Sequence, residues 1–266
     1  MKKFDISKIF LLIFPVLFFI SCNPVKFDEQ DIATVKELTD SHKDFIVGFY
    51  PDAVEANKKI KLDRALLIDL KNDYRHVIVK GYKLDKLNEI ASSYRIGDST
   101  FTRNLTRDGY IELIDTLLFR VDYIPEKLVM AQTIIESGWG KSKFSQEINN
   151  YYGIRCYTPG CGVRPGGVES PNFWVKAYPS KEACIEEYMW LLNTGFAYEH
   201  FRERRLELRQ SGDYPNAIMV AQGLKRYSEK GSEYITLIES IINNYLPENL
   251  DEFVKYVNAE DKDVVE

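Results

Sequence analysis

The run Ala131-Gln-Thr-Ile-Ile-Glu136-Ser-Gly-Trp-Gly140 sets an acidic residue where helix physics disfavours one. Pro125 suits a first helical turn, while Leu128, Met130, Ala131, Ile134 and Ile135 supply a mostly apolar surface. Gly138 and Gly140 supply a stop, so Glu136 falls in the last turn. The helix dipole is negative there and opposes an ionised carboxylate. Ile134, Ile135 and Trp139 are expected to keep water away, and desolvation pushes in the same direction. A carboxylic acid that holds its proton near neutral pH is what a general acid must be when a glycosidic oxygen leaves. A surface glutamate at a frayed helix end is the other reading of the same position.

Other reactive side chains fit different roles. His42, His76 and His200 are not spaced as helix-borne metal ligands, and neither a metal nor a cofactor is expected. Cys156 and Cys161 flank Tyr-Thr-Pro-Gly, a turn able to bring them together, and in an exported, oxidising setting a disulfide is the natural outcome. A zinc site of Cys156, Cys161, Cys184 and His200 has the right atom count, but its spacing matches no common zinc pattern. Cys184 falls in an apolar helical pattern and reads as a small buried hydrophobe.

The N-terminus supplies the export. Lys2, Lys3 and Lys8 precede an apolar run over residues 9–20, which fits the h-region of a secretory signal and is shorter than the roughly 20 residues of a spanning helix. The run ends Phe19-Ile20-Ser21-Cys22-Asn23, which resembles a bacterial lipobox. Cleavage would leave residues 1–21 as a lipoprotein signal peptide, with lipid on Cys22; plain secretion is the alternative. Several acyl chains on one residue hold a protein stably at a membrane. Asn23 is not the aspartate that retains lipoproteins in the inner membrane, so the expected location is the cell envelope, at the outer membrane facing the periplasm. Without residues 1–21 the chain carries 32 basic and 39 acidic residues, a net charge of −7. That balance argues against nucleic acid as a partner and gives no general attraction to anionic wall polymers.

The elements that must position these groups are mainly helical. Residues 22–114 read as a charged helical support segment in which Pro51 opens a helix. Residues 115–246 change in texture. A helix ends at Glu136, a short helical piece spans 142–149, and a glycine- and proline-rich stretch leads to the aromatic, β-branched run 173–178, read as the strand of a small β lobe. Helices then open at Pro179-Ser180 and Pro215, and residues 231–246 carry Tyr234, Leu237, Ile238, Ile241, Ile242 and Tyr245 at helical spacing, read as core. Residues 247–266 read as a loosely held acidic tail.

Five runs together resemble a known family: Arg120-Val-Asp-Tyr-Ile-Pro125, Glu136-Ser-Gly-Trp-Gly140, Asn149-Asn-Tyr-Tyr-Gly153-Ile154, Cys156-Tyr-Thr-Pro-Gly-Cys161 and Tyr227-Ser-Glu-Lys-Gly-Ser-Glu-Tyr234. They are similar to the Bax-type branch of the bacterial glucosaminidases, glycoside hydrolase family 73. The resemblance implies a mainly α, lysozyme-like helical domain with a small β lobe and a cleft between, preceded by the helical segment. It implies hydrolysis of the β-1,4 bond after N-acetylglucosamine in peptidoglycan glycan strands. Glu136 matches the family's general acid. Tyr227 matches a tyrosine needed near the scissile sugar; a core tyrosine is its other reading. The second carboxylate would come from the β lobe, where Glu169 is the only acid between Glu147 and Glu182. An inverting route and assistance by the N-acetyl group both stay open. Trp139, Tyr152 and Trp174 are the aromatic platforms expected for sugar rings, with Asn150 and the Gly153 backbone as polar contacts and Tyr234 closing the motif. Trp139 has core packing as its alternative, and for Trp174 packing is the reading favoured by its residue type and place.

Two other functions compete. A lytic transglycosylase uses a similar fold and a single glutamate but leaves an anhydro sugar. A lipid-anchored wall-binding protein would need no open cleft.

Overall fold

Helix α1, Asp40–His76, runs straight through Pro51, where the sequence pattern predicts a helix start. A proline inside a helix removes one backbone hydrogen bond and costs about 3 kcal/mol. Burial on both sides of the break offsets it: Phe45, Ile46 and Phe49 before it, and Ala53, Ala56 and Ile60 after it, all enter the core. Lys181 donates to the Gly48 carbonyl beside the break and, at 2.5 Å, to Asp52. The structure is a computed structural model that describes residues 33–34, 37–76, 81–97, 105–166, 172–213, 215–225 and 231–263. The signal segment and Cys22 lie outside the described residues.

After α2 (Tyr82–Ser93) and α3 (Arg107–Arg120), the chain leaves helix at Val121 and enters the central helix α4, Glu126–Ser137. The connection is clamped by side chains. Asn57 pairs with both backbone groups of Ile124, donating to its carbonyl at 2.6 Å and accepting from its N–H at 2.9 Å. Arg64 donates to the carbonyls of Leu118 and Val121. Helix α4 is buried on nearly every side from Leu128 to Ile134, so it has no polar face to turn to water.

The short helix α5, Lys143–Ile148, starts at Ser142, whose hydroxyl accepts from the Ser145 N–H. Three short strands follow, β1 (Arg155–Cys156), β2 (Gly162–Val163) and β3 (Trp174–Lys176), in antiparallel order β1-β3-β2. Val175 sits at the centre, opposite Arg155 on one side and Val163 on the other. Cys156 and Cys161 form a disulfide that closes the loop between β1 and β2. Gly162 is required by close approach: a Cβ there would lie 1.8 Å from the Val175 carbonyl oxygen.

Helix α6 (Lys181–Thr194) is capped by Ser180 and joined through a 3-10 turn, Phe196–Tyr198, to α7 (Glu199–Gln210). Asn216 caps α8 (Ala217–Ala221), a second 3-10 turn covers Gln222–Leu224, and α9 (Ser232–Tyr245) and α10 (Leu250–Asp263) complete the chain. This is a mainly α, lysozyme-like fold with a small three-stranded sheet, as the sequence led one to expect. Helix α1 packs along α3, α4, α6 and α10 and ties the leading segment to the rest.

Two expectations are corrected. Residues 250–263 are not a loose tail, because Leu250, Phe253 and Val257 recur at helical spacing and bury against α1. The Tyr50 hydroxyl donates to Asp251 at 2.9 Å across that contact. On α9 the buried stripe is Tyr234, Ile235, Ile238 and Ile242, while Leu237 faces outward and Tyr245, partly exposed, lies against Trp139, so Ile235 takes the core place expected of Leu237.

Cys184 is fully buried on α6, as expected, and burial pushes its thiol up to about 12. A Cys22→Ser form of the native protein is therefore expected to resist maleimide at mildly alkaline pH and to react only once unfolded. Stability from the neutral thiol is present below the unfolded value and fades as pH rises through about 12. Prompt labelling of the folded chain at Cys184 would refute this burial.

Candidate active site

Glu136 occupies the last turn of α4, half-buried. The helix ends there because Gly138 takes a left-handed conformation, with φ 58°, and its N–H returns to the Ile134 carbonyl. Trp139 and Gly140 are left-handed too, at φ 59° and 70°. For a tryptophan that conformation costs roughly 1–2 kcal/mol. The ring is held by stacking on His42 at 4.0 Å, with the edges of Phe45 and Tyr245 at 5.6 and 5.7 Å. At Gly140 a Cβ would press on the Phe45 ring at 3.0 Å. Trp139 thus fastens α1 beneath the turn, and its expected role as a sugar platform gives way to its packing alternative.

A line of polar side chains runs from the core to Glu136. Gln132 stands four residues before it on the same helical face and is 0% exposed. The Tyr188 hydroxyl of α6 donates to Gln132 Oε1. Gln132 Nε2 donates to the Tyr234 hydroxyl at 2.9 Å, and Tyr234 donates to Glu136 Oε1 at 2.8 Å. Burial pushes the Tyr234 phenol well up, and the Glu136 charge adds to the effect, so it stays a donor. Tyr198, on the 3-10 turn after α6, is shifted the same way, by burial first and then by Glu136. Tyr234 was expected to touch substrate; it is buried, and its hydroxyl is turned to Glu136.

The β-lobe candidates divide. Asn150 is 2% exposed and spends both ends of its amide on backbone. Its Nδ2 donates to the carbonyls of Ile154 and Lys176, at 2.9 and 2.8 Å, and its Oδ1 accepts from the N–H groups of Tyr152 and Ile154. With that capacity filled, it shapes the loop and has no hydrogen bond left for a sugar. Tyr152 is buried, stacked on Tyr188 at 3.8 Å, with its hydroxyl 2.7 Å from Thr133 Oγ1. It too is support and not a platform. Gly153, at φ 66° with open space around it, and half-buried Trp174, with Arg164 over its ring, keep surface that a ligand can reach. Glu169 and Tyr227 lie outside the described residues.

Among the described residues no group of three or more His, Cys, Asp or Glu side chains is placed to hold a metal ion. The zinc alternative loses two of its thiolates to the disulfide. Sequence reasoning missed Gln132, Tyr188 and Tyr198 as neighbours of the acid. A polar residue on an otherwise apolar helix, one turn from Glu136, was the available signal for Gln132.

The family model described as Glucosaminidase, mannosyl-glycoprotein endo-beta-N-acetylglucosaminidase, matches residues 115–247. The chain belongs to this family. Protein bax of Escherichia coli (strain K12) is 34% identical over 161 residues, which make up 60% of this chain and 52% of that relative. The chain spans about half the length of the curated relative it matches. No solved structure matches the chain. The glucosaminidase match takes in Glu136, the line of side chains behind it, the sheet and α9. Helices α1, α2 and α10 of this chain lie outside the match, and α1 packs against α4 within it.

Proposed function

We propose that this glucosaminidase cleaves the β-1,4 bond after N-acetylglucosamine in peptidoglycan glycan strands, with Glu136 as general acid. The observation that carries the proposal is the Tyr234–Glu136 hydrogen bond, which joins the end of α4 to the helix following the Tyr227 motif inside a glucosaminidase match. The family description, an endo-beta-N-acetylglucosaminidase, supports the reading.

In this reading Glu136 protonates the leaving oxygen while positive charge grows at the sugar ring. Oε1 already accepts from Tyr234, so the proton to be donated rides on Oε2. Trp174 offers an apolar ring to a sugar face, and the Gly153 backbone offers polar contacts. Tyr227 steadies the reacting sugar or its N-acetyl group. Either Glu169 activates water or the N-acetyl group itself assists. Export by the N-terminal signal and a lipid on Cys22 would hold the enzyme at the outer membrane, next to its polymer.

Digestion of purified sacculi followed by mass spectrometry tests the bond. New reducing N-acetylglucosamine ends are expected. Anhydromuramic ends would make the protein a lytic transglycosylase, and intact sacculi would leave only a wall-binding role.

A further inference from the structure

We infer that Gln132 and Tyr188 are positioning residues that act through Tyr234 to decide which oxygen of Glu136 carries the proton to be donated. The inference rests on the proposed role of Glu136 as general acid. Its ground is the one-way polarity of the buried chain. Thr133 donates to the Val129 carbonyl at 2.7 Å, so its oxygen is left to accept from Tyr152. Tyr152 lies flat against Tyr188, with 6° between the rings, and holds that ring in place. The Tyr188 hydroxyl points its proton at Gln132 Oε1, which forces the amide to present Nε2 to Tyr234. Tyr234, accepting there, has its own proton left for Glu136.

A flipped Gln132 amide would reverse all of this. Its oxygen would face Tyr234 and take the proton that now reaches Glu136. In the flipped form Nε2 would donate to the Tyr188 hydroxyl, and Tyr188 would no longer give Gln132 the proton it gives in the structure. A buried amide is costly unless both ends are satisfied, and here both are. The line would therefore set the acid's geometry in advance of substrate, which is where enzymes gain most from fixed dipoles. Tyr234 of α9 and Tyr198 of the 3-10 turn both feel the Glu136 charge.

The experiment is a carbon NMR titration of the Glu136 carboxyl in wild type, Y188F, Q132M, Y234F and the double variant Y188F/Y234F, beside the pH dependence of kcat/KM on sacculi. Losing a donor to the carboxylate destabilises its ionised form, so the Glu136 midpoint and the alkaline limb should both move up by about one pH unit in Y188F, and should stay near wild type in Q132M, where no amide oxygen can take the Tyr234 proton. KM should hold. In the Y234F background Y188F should add nothing, since its effect passes through Tyr234. A Y188F curve that superimposes on wild type would overturn the inference, as would a Q132M shift as large as that of Y188F, or an equal Y188F shift with Tyr234 already gone. If the variants do not fold, the wild type decides: hydroxyl protons of Tyr188 and Tyr234 protected from exchange support the line, and rapidly exchanging ones overturn it. The titration needs no substrate, so an inactive wild type would sink the hydrolase proposal and leave the relay to be judged separately.

Discussion

Glu136→Gln is expected to lower kcat on sacculi by about 10²–10⁴-fold, the usual contribution of a general acid, while the melting temperature stays near that of wild type. Glutamine keeps the size of the side chain and an oxygen able to accept from Tyr234, so the end of α4 loses no packing. What disappears is a transferable proton. The loss should therefore depend on the leaving group. An oligosaccharide ending in a nitrophenyl group departs without being protonated, and on it the variant should recover most of its rate. An equal loss on both substrates would mean that Glu136 serves some purpose other than proton donation. Clearing of sacculi as fast as by wild type would remove it from the reaction altogether.

Local physics made the position of this acid readable. Gly138 and Gly140 announce the left-handed exit that stops α4, and Pro125 its entry, so the last turn was placed from composition alone. The β-branched and aromatic run around Val175 likewise announced β3, and the spacing of Cys156 and Cys161 the disulfide. What escaped depends on partners distant in sequence. Nothing near Glu136 says that Tyr234, 98 residues on, will donate to it, or that Tyr152 will spend its ring on Tyr188. Asn150 reads as a sugar contact until the fold shows its amide filled by backbone. Two misses were readable. Leu250, Phe253 and Val257 repeat at helical spacing, and the acidic residues between them hid that pattern. Pro51 suggested a boundary because a proline is costly within a helix, whereas Phe45, Ile46 and Phe49 show that burial upstream outweighs the cost.

Asp122→Ala is expected to destabilise the fold by about 3–5 kcal/mol, lowering the melting temperature by about 10 °C. Its carboxylate is 2% exposed and sits among three guanidinium groups. Arg209 grips both oxygens, and the Nε atoms of Arg64 and Arg205 lie at 3.6 and 3.7 Å. Arg205 is 1% exposed, and burial pushes its guanidinium down to about 10. It donates to the carbonyls of Phe119, Arg120, Asp122 and Tyr123 and to Asn193 Oδ1. Removing the anion leaves those cations buried without their counter-charge, and that penalty sets the size of the effect. An exposed pair such as Lys58 with Glu55 should be worth less than about 1 kcal/mol by the same measurement. Arg205→Lys should fail almost as badly as Asp122→Ala, since an ammonium cannot reach the several acceptors that the planar fork serves. Denaturant unfolding would read both. The folded fraction of either variant should still process glycan at its normal rate below the transition, because this cluster holds the connection into α4 and Glu136 stands at the other end of that helix. A melting temperature unchanged by Asp122→Ala would show that water or local relaxation compensates the three arginines, and the clamp would then not be what fixes α4 in place.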